Sequence, residues 1–451
     1  MRLFQHTHTA LLLLILAIVV AWLPGETWSR TLDMDQFVSL VRQHSKDLQI
    51  ASKDREEADA QKSQAVALAL PHVGAQAGYT RNLSDLYMYL DMSSLTGEED
   101  AGITKSVSSR NNEFSAAVSL TQTLFSGTVM NAITAARQYR RLTDFAYDAT
   151  FQQIVTLSKQ AFAQTLLLRK VLEVSEQSEQ NALDNYNDTK SRFDNGLASE
   201  FELLQAESRY RETVPQTASA RRNLELALVD LKNLAGISVD EELSLTGSLE
   251  TYPEMPGPIS LDQALDTRPD YNALVWEERL RRTAVSAERA GYFPSLAAVA
   301  AYGYSAQSND FKLEEENNAW TIGLQLSIPI FQGGDTRAKV RQASIQLDKS
   351  QLELAKSRDQ IEKDLRSVRL RLEEAHARIA SAQAALETAT KAHNIAESTT
   401  RVGLTTQLEL KDTRVVLDQA SVAYYTAVFE YLAAWYDWQM VSGALTDDES
   451  K

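Results

Sequence analysis

The sequence predicts a mainly α chain with a β-barrel part, built as a duplicated unit of long coiled-coil helices plus one β-hairpin. Three observations carry this. The first is an internal repeat. Leu120-Thr121-Gln122-Thr123-Leu124-Phe125-Ser126-Gly127 recurs as Leu326-Ser327-Ile328-Pro329-Ile330-Phe331-Gln332-Gly333, and Gly196-Leu197-Ala198-Ser199-Glu200-Phe201-Glu202-Leu203 recurs as Gly403-Leu404-Thr405-Thr406-Gln407-Leu408-Glu409-Leu410. Steps of 206 and 207 residues mark two large units rather than a solenoid of short ones. The second is a strict alternation of apolar residues from Trp320 to Ile330, and the third is a seven-residue apolar seam between Val340 and Leu386.

Composition narrows the function classes. With 17 Gly and 9 Pro in 451 residues, long helices are favoured over many tight turns. A formal charge of −16 argues against a nucleic-acid partner, because phosphate binding needs a basic surface. The absence of cysteine excludes disulfides, thiolate metal sites and a lipidated N-terminal cysteine. Arg2 followed by 14 apolar residues from Ala10 to Leu23 and then Pro24-Gly25 reads as a signal peptide, residues 1–29, with cleavage after Ser29. No later stretch reaches 18 consecutive apolar residues, so spanning helices are not expected, while insertion into an outer membrane through strands remains open. His44, His72, His376 and His393 have no metal-binding spacing, and there is no nucleophile elbow or phosphate-binding Gly-rich loop. No catalytic residue, metal or cofactor is expected, and the chain does not read as an enzyme.

The elements follow in order. The first repeat spans 30–236 and the second 259–443, with a linker or equatorial segment at 237–258 and a polar tail at 444–451. Asp33 with Gln36 and Ser260 with Gln263 have capping-box spacing, so each repeat opens on a helix, running to Leu70-Pro71 and to Phe293-Pro294. Beyond each proline the period becomes two. Val73, Ala75, Ala77 and Tyr79, then Phe114, Ala116, Val118 and Leu120, form the first hairpin, within about 71–125. Leu296, Ala298, Ala300, Tyr302 and Tyr304 pair with Trp320, Ile322, Leu324, Leu326 and Ile328 in the second, within about 294–331. The first hairpin loop, near Asn82 to Asn112, is 17 residues longer than its counterpart, and long barrel loops usually lie on the outer surface.

After Gly127 and Gly333 come the longest helices, about Thr128 to Phe193 and Asp335 to Thr400, each about 100 Å at 1.5 Å per residue. In the second, Val340, Leu347, Leu354, Ile361, Val368, Ala375 and Ala382 repeat every seven positions, joined by Leu365, Leu372, Ile379 and Leu386. Each long helix turns at a glycine, Gly196 or Gly403, in tips at about 194–199 and 401–406. Ser199 with Glu202 and Thr406 with Glu409 then cap returning helices that run to Gly236 and Gly443. The short helices of each repeat nearly sum to the long one, which suggests that they stack end to end beside it.

Four strands cannot close a transmembrane barrel, so several copies must share one. A homotrimer would supply a 12-stranded barrel and, below it, a 12-column α-helical tunnel. The alternation alone would look the same in two soluble hairpins packed on helices. A periplasmic coiled-coil adaptor or scaffold without a pore is the alternative reading, and a porin needs more strands in one chain than four.

Arg268-Pro269-Asp270, the stretch Leu326 to Gly334 and the two Gly-Leu-x-Ser/Thr turns resemble the outer membrane efflux protein family, the TolC-like outer membrane factors, in order and over nearly the whole mature chain. The resemblance implies a passive export duct across outer membrane and periplasm, serving efflux or type I secretion. Its partners would be a periplasmic adaptor (membrane fusion) protein, an inner-membrane transporter of RND or ABC type, and outer membrane lipid around the strands. It assigns Gly196, Leu197, Ser199, Gly403, Leu404 and Thr406 to adaptor-binding tips, and Glu409 and Asp412, with Glu202 of the first repeat, to an acidic periplasmic aperture. For Glu409 the helix cap is a competing role, and for Asp412 a solvated helix face. The first repeat has Gln205 where the second has Asp412, and the family's Tyr–Arg closing pair is replaced by Thr400 and Thr405.

Overall fold

The computed structural model describes residues 30–84, 87–91, 103–107, 110–401, 404 and 406–445. The expected signal peptide, Gly403, Thr405, part of the first hairpin loop and residues 446–451 of the expected tail lie outside the described residues. The chain divides into two compact units, each drawing on both sequence repeats. One comprises the residues up to Gln49, Ala149–Arg268 and those from Ile361 on; the other comprises Ile50–Asp148 and Pro269–Gln360. The duplication therefore divides the sequence one way and packing divides the fold another.

In the first unit, β1 (Arg30–Leu32) leads into α1 (Met34–His44), capped as expected: Gln36 N–H donates to Asp33 Oδ1 at 2.8 Å and Asp33 N–H to Gln36 Oε1 at 3.2 Å. The sequence reading ran this helix on to Leu70, but the backbone leaves the helical region at Ser45 (ψ 125°) and restarts as α2 (Lys46–Ala67). The second repeat breaks in the same way at Arg268 (ψ 119°), between α5 (Leu261–Thr267) and α6 (Pro269–Ala290). There Pro269 disfavours a helical residue before it, a local cue the expected single helix overlooked. Both breaks rest against the C-terminal glycine of a returning helix. Gly236 follows α4 (Glu200–Ala235) and Gly443 follows α8 (Gln407–Val441), both at positive φ. A Cβ on Gly236 would lie 2.8 Å from His44 Cβ, and one on Gly443 would overlap Thr267 Oγ1. Only glycine fits either contact, and the Thr267 hydroxyl also donates to the Ser442 carbonyl at 3.1 Å.

The expected linker or equatorial segment, 237–258, is packed. Its β6 (Leu243–Leu245) pairs in parallel with β1, and Leu249 is buried. Arg169 donates to the Leu245 and Gly247 carbonyls, Arg369 to that of Pro256, and the Tyr431 hydroxyl to that of Pro253 at 2.8 Å. These anchors come from residues far away in sequence, so nothing local announced them.

The long helices are α3 (Gly127–Asp194, 68 residues) and α7 (Asp335–Arg401, 67 residues). Along α7 the expected seam is unevenly covered. Ile361, Leu365, Val368, Leu372, Ala375 and Ile379 are buried, whereas Val340, Leu347, Leu354, Ala382 and Leu386 are half-buried. A seven-residue pattern marks an adhesive stripe and not how much of it one chain covers.

The second unit holds a four-stranded sheet of order β2-β5-β7-β8 from β2 (His72–Arg81), β5 (Asn112–Phe125), β7 (Ser295–Ser308) and β8 (Asn317–Ser327). Each expected hairpin is present, and antiparallel pairing of β5 with β7 joins them. β8 ends at Ser327, short of the expected Ile330, because Pro329 has no N–H to give to a ladder. Within the long first loop, β3 (Tyr87–Asp91) and β4 (Ile103–Val107) form a further hairpin that the sequence reading did not anticipate.

Candidate functional site

In an antiparallel ladder, directly paired residues point to the same face. The register therefore sorts every strand residue of the second unit. Ala75 pairs with Val118, Val118 with Tyr302, and Tyr302 with Trp320. Val73, Leu120, Ala300 and Ile322 form the next row, and Leu296 pairs with Leu326. One face of the sheet is thus apolar across all four strands apart from Gln122 and, toward the loops, Arg81, Asn112, Ser308 and Asn318. The other carries Gly74, Gln76, Gly78, Ser115, Ser119, Thr121, Gly303, Ser305, Thr321, Gly323 and Gln325. Each hairpin's alternation was legible alone; their phasing onto one face depends on the β5–β7 register.

The apolar face is open. Ile322 is 86% exposed and Trp320 76%, and Leu324, Leu326 and Ile328 are exposed as well, Ile328 lying just past the strand end. Aromatic residues mark both ends of the sheet. Toward the loops, Phe311 packs edge-on against Tyr79 and Phe114, at 5.1 and 5.3 Å between ring centres, and Tyr302 packs on Trp320 at 4.9 Å. At the other end the register shifts after Thr123, so that Phe125 pairs with Leu296 and keeps to the apolar face. Phe114 and Phe125, at opposite ends of one strand, stand about 26 Å apart along an axis tilted 45° to it, which matches the height of a lipid-facing band. Among the described residues no helix is long and apolar enough to cross a membrane.

The tips belong to the first unit, and their described residues share the same hydrogen bonds. Gly196 sits at φ 73°, its N–H donates to the Phe193 carbonyl at 2.8 Å, and the Leu197 N–H donates to the Arg192 carbonyl at 2.7 Å, the double bond of a Schellman turn. The Leu404 N–H donates to the Thr399 carbonyl at 2.9 Å in the same way. Ser199 and Thr406 are N-caps. Their N–H groups donate to Glu202 Oε2 at 2.7 Å and Glu409 Oε2 at 2.9 Å, and their hydroxyls accept from the Glu202 and Glu409 N–H at 3.3 and 3.2 Å. The backbone N–H, then the hydroxyl, holds each carboxyl below the usual range.

Since the folded pKa is depressed, this stabilisation is present above the ordinary glutamate pKa of about 4.3 and is lost as pH falls through the folded value. Amide exchange at Thr406 and Glu409, corrected for intrinsic rate, is expected to accelerate below about pH 4. The Glu409→Gln protein should lack that step, and an unchanged step in it would assign the titration elsewhere.

Asp412 is exposed one turn further along α8, and the Thr400 hydroxyl is buried without a hydrogen-bond partner among the described residues. Leu197 and Leu404 are exposed, the latter at 81%. The sequence reading passed over Phe201, 74% exposed, and Leu408, also exposed, which occupy matching positions five residues past each turn glycine. Their recurrence in both repeats was the available signal. It also missed a cavity of about 350 Å³ in the first unit, lined by Ser178, Arg209, His393, Arg414 and Asp418. Burial pushes the Asp418 carboxyl up, although Arg414 Nε lies 2.9 Å away.

Residues 37–237 and 260–437 match the family model described as outer membrane efflux protein. Among relatives, the alkaline protease secretion protein AprF of Pseudomonas aeruginosa is 24% identical over 237 residues, 52% of this chain and 49% of that protein. The outer membrane protein TolC of Salmonella enteritidis is 24% identical over 328 residues, 70% of this chain and 62% of its own. The chain thus spans between about half and three-fifths of these two relatives. In fold it is similar to the CmeC outer membrane channel of Campylobacter jejuni, with a TM-score of 0.76, 18% identity, and coverage of 91% of this chain and 85% of that one.

Proposed function

The chain belongs to the outer membrane efflux protein family, and from that premise we propose that three copies form a passive export duct of a tripartite efflux or type I secretion system. One observation carries the reading: a four-stranded sheet with one predominantly apolar face, one small and polar face, and, among the described residues, an unpaired edge on β2 and on β8. A free edge with an apolar face is an aggregation hazard in water, whereas in a bilayer neighbouring copies would pair the edges and lipid would cover the face. Twelve strands would close a barrel around the Gly-, Ser-, Thr- and Gln-rich face, whose small side chains leave a lumen. Trp320, Ile322, Leu324, Leu326 and Ile328 would then face outer membrane lipid, and the helices would continue the duct into the periplasm. A poreless adaptor or scaffold has no use for the apolar face.

The apolar groups at both tips, Leu197, Phe201, Leu404 and Leu408, support docking by a periplasmic adaptor, with an inner-membrane transporter beyond it. The glycines, with Ser199 and Thr406, shape the turns that present those groups. Glu202, Glu409 and Asp412 would ring the aperture, repeated threefold, and favour cations. The Glu409 carboxylate serves its cap through one oxygen and stays solvent-exposed, so cap and ring are compatible.

The purified protein is expected to fractionate with outer membranes, migrate as a trimer and conduct in planar bilayers; a trimer without any pore would overturn the reading. Exchanging Glu409→Gln and Asp412→Asn together should raise single-channel conductance or weaken block by multivalent cations. If neither changes, these carboxylates are only a solvated helix face.

A further inference from the structure

The two tip hairpins differ at one height. Gly196 and Gly403 stand 207 positions apart, and on that spacing Pro215 of α4 corresponds to Val422 of α8. Pro215 lies in the interior of α4. Its ring nitrogen has no hydrogen to give to the Arg211 carbonyl and its ring presses on that carbonyl, so the helix bends easily there. In α8 the Ser421 and Thr426 hydroxyls bond back to carbonyls one turn earlier, but the helix has no proline and its ladder keeps every N–H. Pro215 is exposed whereas Thr213 and Thr217 are buried, so the ring opens the solvent side of α4 and favours a bend directed inward. α3 is softened at the same height. Ser175 lies 21 residues before Gly196 and Pro215 19 after it, each about 30 Å from the turn. The Ser175 hydroxyl donates to the Val171 carbonyl at 2.8 Å, a back-bond that favours bending, and the Ser175 carbonyl accepts from Thr217 Oγ1 of α4 at 3.2 Å. On the tip side of this line Tyr186 and Tyr210 stack, 6.2 Å between ring centres and 11° apart in plane, which couples the two helices.

Inward of the line there is room to move. A cavity of about 540 Å³ lies at this height, lined by Ser175 of α3, Thr213 and Gln216 of α4, and Val422 of α8 among others. The cavity of about 350 Å³ continues from it toward the tips, and the two share Ser178, Arg209, Val415 and Asp418. Charged and hydroxyl groups in these walls keep the space wettable, so a helix moving into it displaces water rather than close-packed side chains. We propose that the tip-side length of the first repeat's hairpin, α3 beyond Ser175 and α4 up to Pro215, pivots inward about the line through these two residues while the second repeat's hairpin stays straight. The first tip is then a movable arm and the second a fixed one. That the motion repositions a docking tip rests on the reading that an adaptor binds there; the hinge itself does not.

Because the chain has no cysteine, labels can be placed singly or in pairs without a background. Nitroxides at Ser208→Cys on α4 and Val416→Cys on α8, both exposed positions, report one intrachain distance by pulsed electron resonance. Diluting the labelled full-length chains into unlabelled protein keeps the measurement independent of oligomeric state. Two distances are expected. The shorter should be lost in Pro215→Ala, which restores the missing N–H, and in Ala182→Phe, which fills the tip-side cavity without touching the α4 ladder. A single distance in the parent chain, or a short distance that survives either change, would overturn the hinge. So would a distribution equally broad with and without the proline, the signature of a frayed tip. Conductance and trimer migration of the same preparation separate the two failures: two distances without a pore overturn the duct alone, and a conducting trimer with one distance overturns the hinge alone.

Discussion

Replacing Ile322 with Arg is expected to destabilise the membrane-inserted protein by about 2–4 kcal/mol, the cost of a basic side chain on the lipid face near a bilayer midplane. Ile322 stands in the middle of β8, 86% exposed, in the row with Ala300, Leu120 and Val73. Its neighbour Thr321 pairs with Ala301 on the opposite face. Thr321→Arg should therefore cost far less and instead change conductance, because it would line the lumen. Urea unfolding in lipid vesicles gives the first quantity and single-channel recording the second. Equal costs at the two positions would mean that the faces do not differ in environment, and the barrel reading would fall.

Leu372→Ala is expected to cost about 2–5 kcal/mol, the range for emptying a fully buried leucine site. Leu372 is 0% exposed, in the stretch of α7 where Val368, Ala375 and Ile379 are buried with it. The same change at Leu354, half-buried in the isolated chain, should cost clearly less in a monomer. In an assembled trimer the gap between the two should narrow if a neighbouring copy covers Leu354. Thermal unfolding of monomeric and trimeric preparations distinguishes the cases.

What could be read from the residues was what residues close in sequence decide. Asp33 with Gln36, Ser199 with Glu202, Ser260 with Gln263 and Thr406 with Glu409 sit three apart, and each pair closes a capping box. Gly196 takes the left-handed position after its helix because a Cβ there would be strained. The pattern also named the exposed strand residues, but it treated their hairpins as separate. Phe201 and Leu408 were passed over because an apolar residue near a helix start reads as core until its exposure is known.

By itself the sequence determined the duplicated order of helix, hairpin, long helix and capped return, since propensity, capping and alternation act over a few residues. Tertiary structure decided the rest. The β5–β7 register brought two alternations onto one face, Gly236 and Gly443 received the breaks at Ser45 and Arg268, and Arg169, Arg369 and Tyr431 turned an expected linker into packed wall. Each joins residues tens to hundreds of positions apart, where the free energy depends on which surfaces meet and local pattern carries no record of the partner.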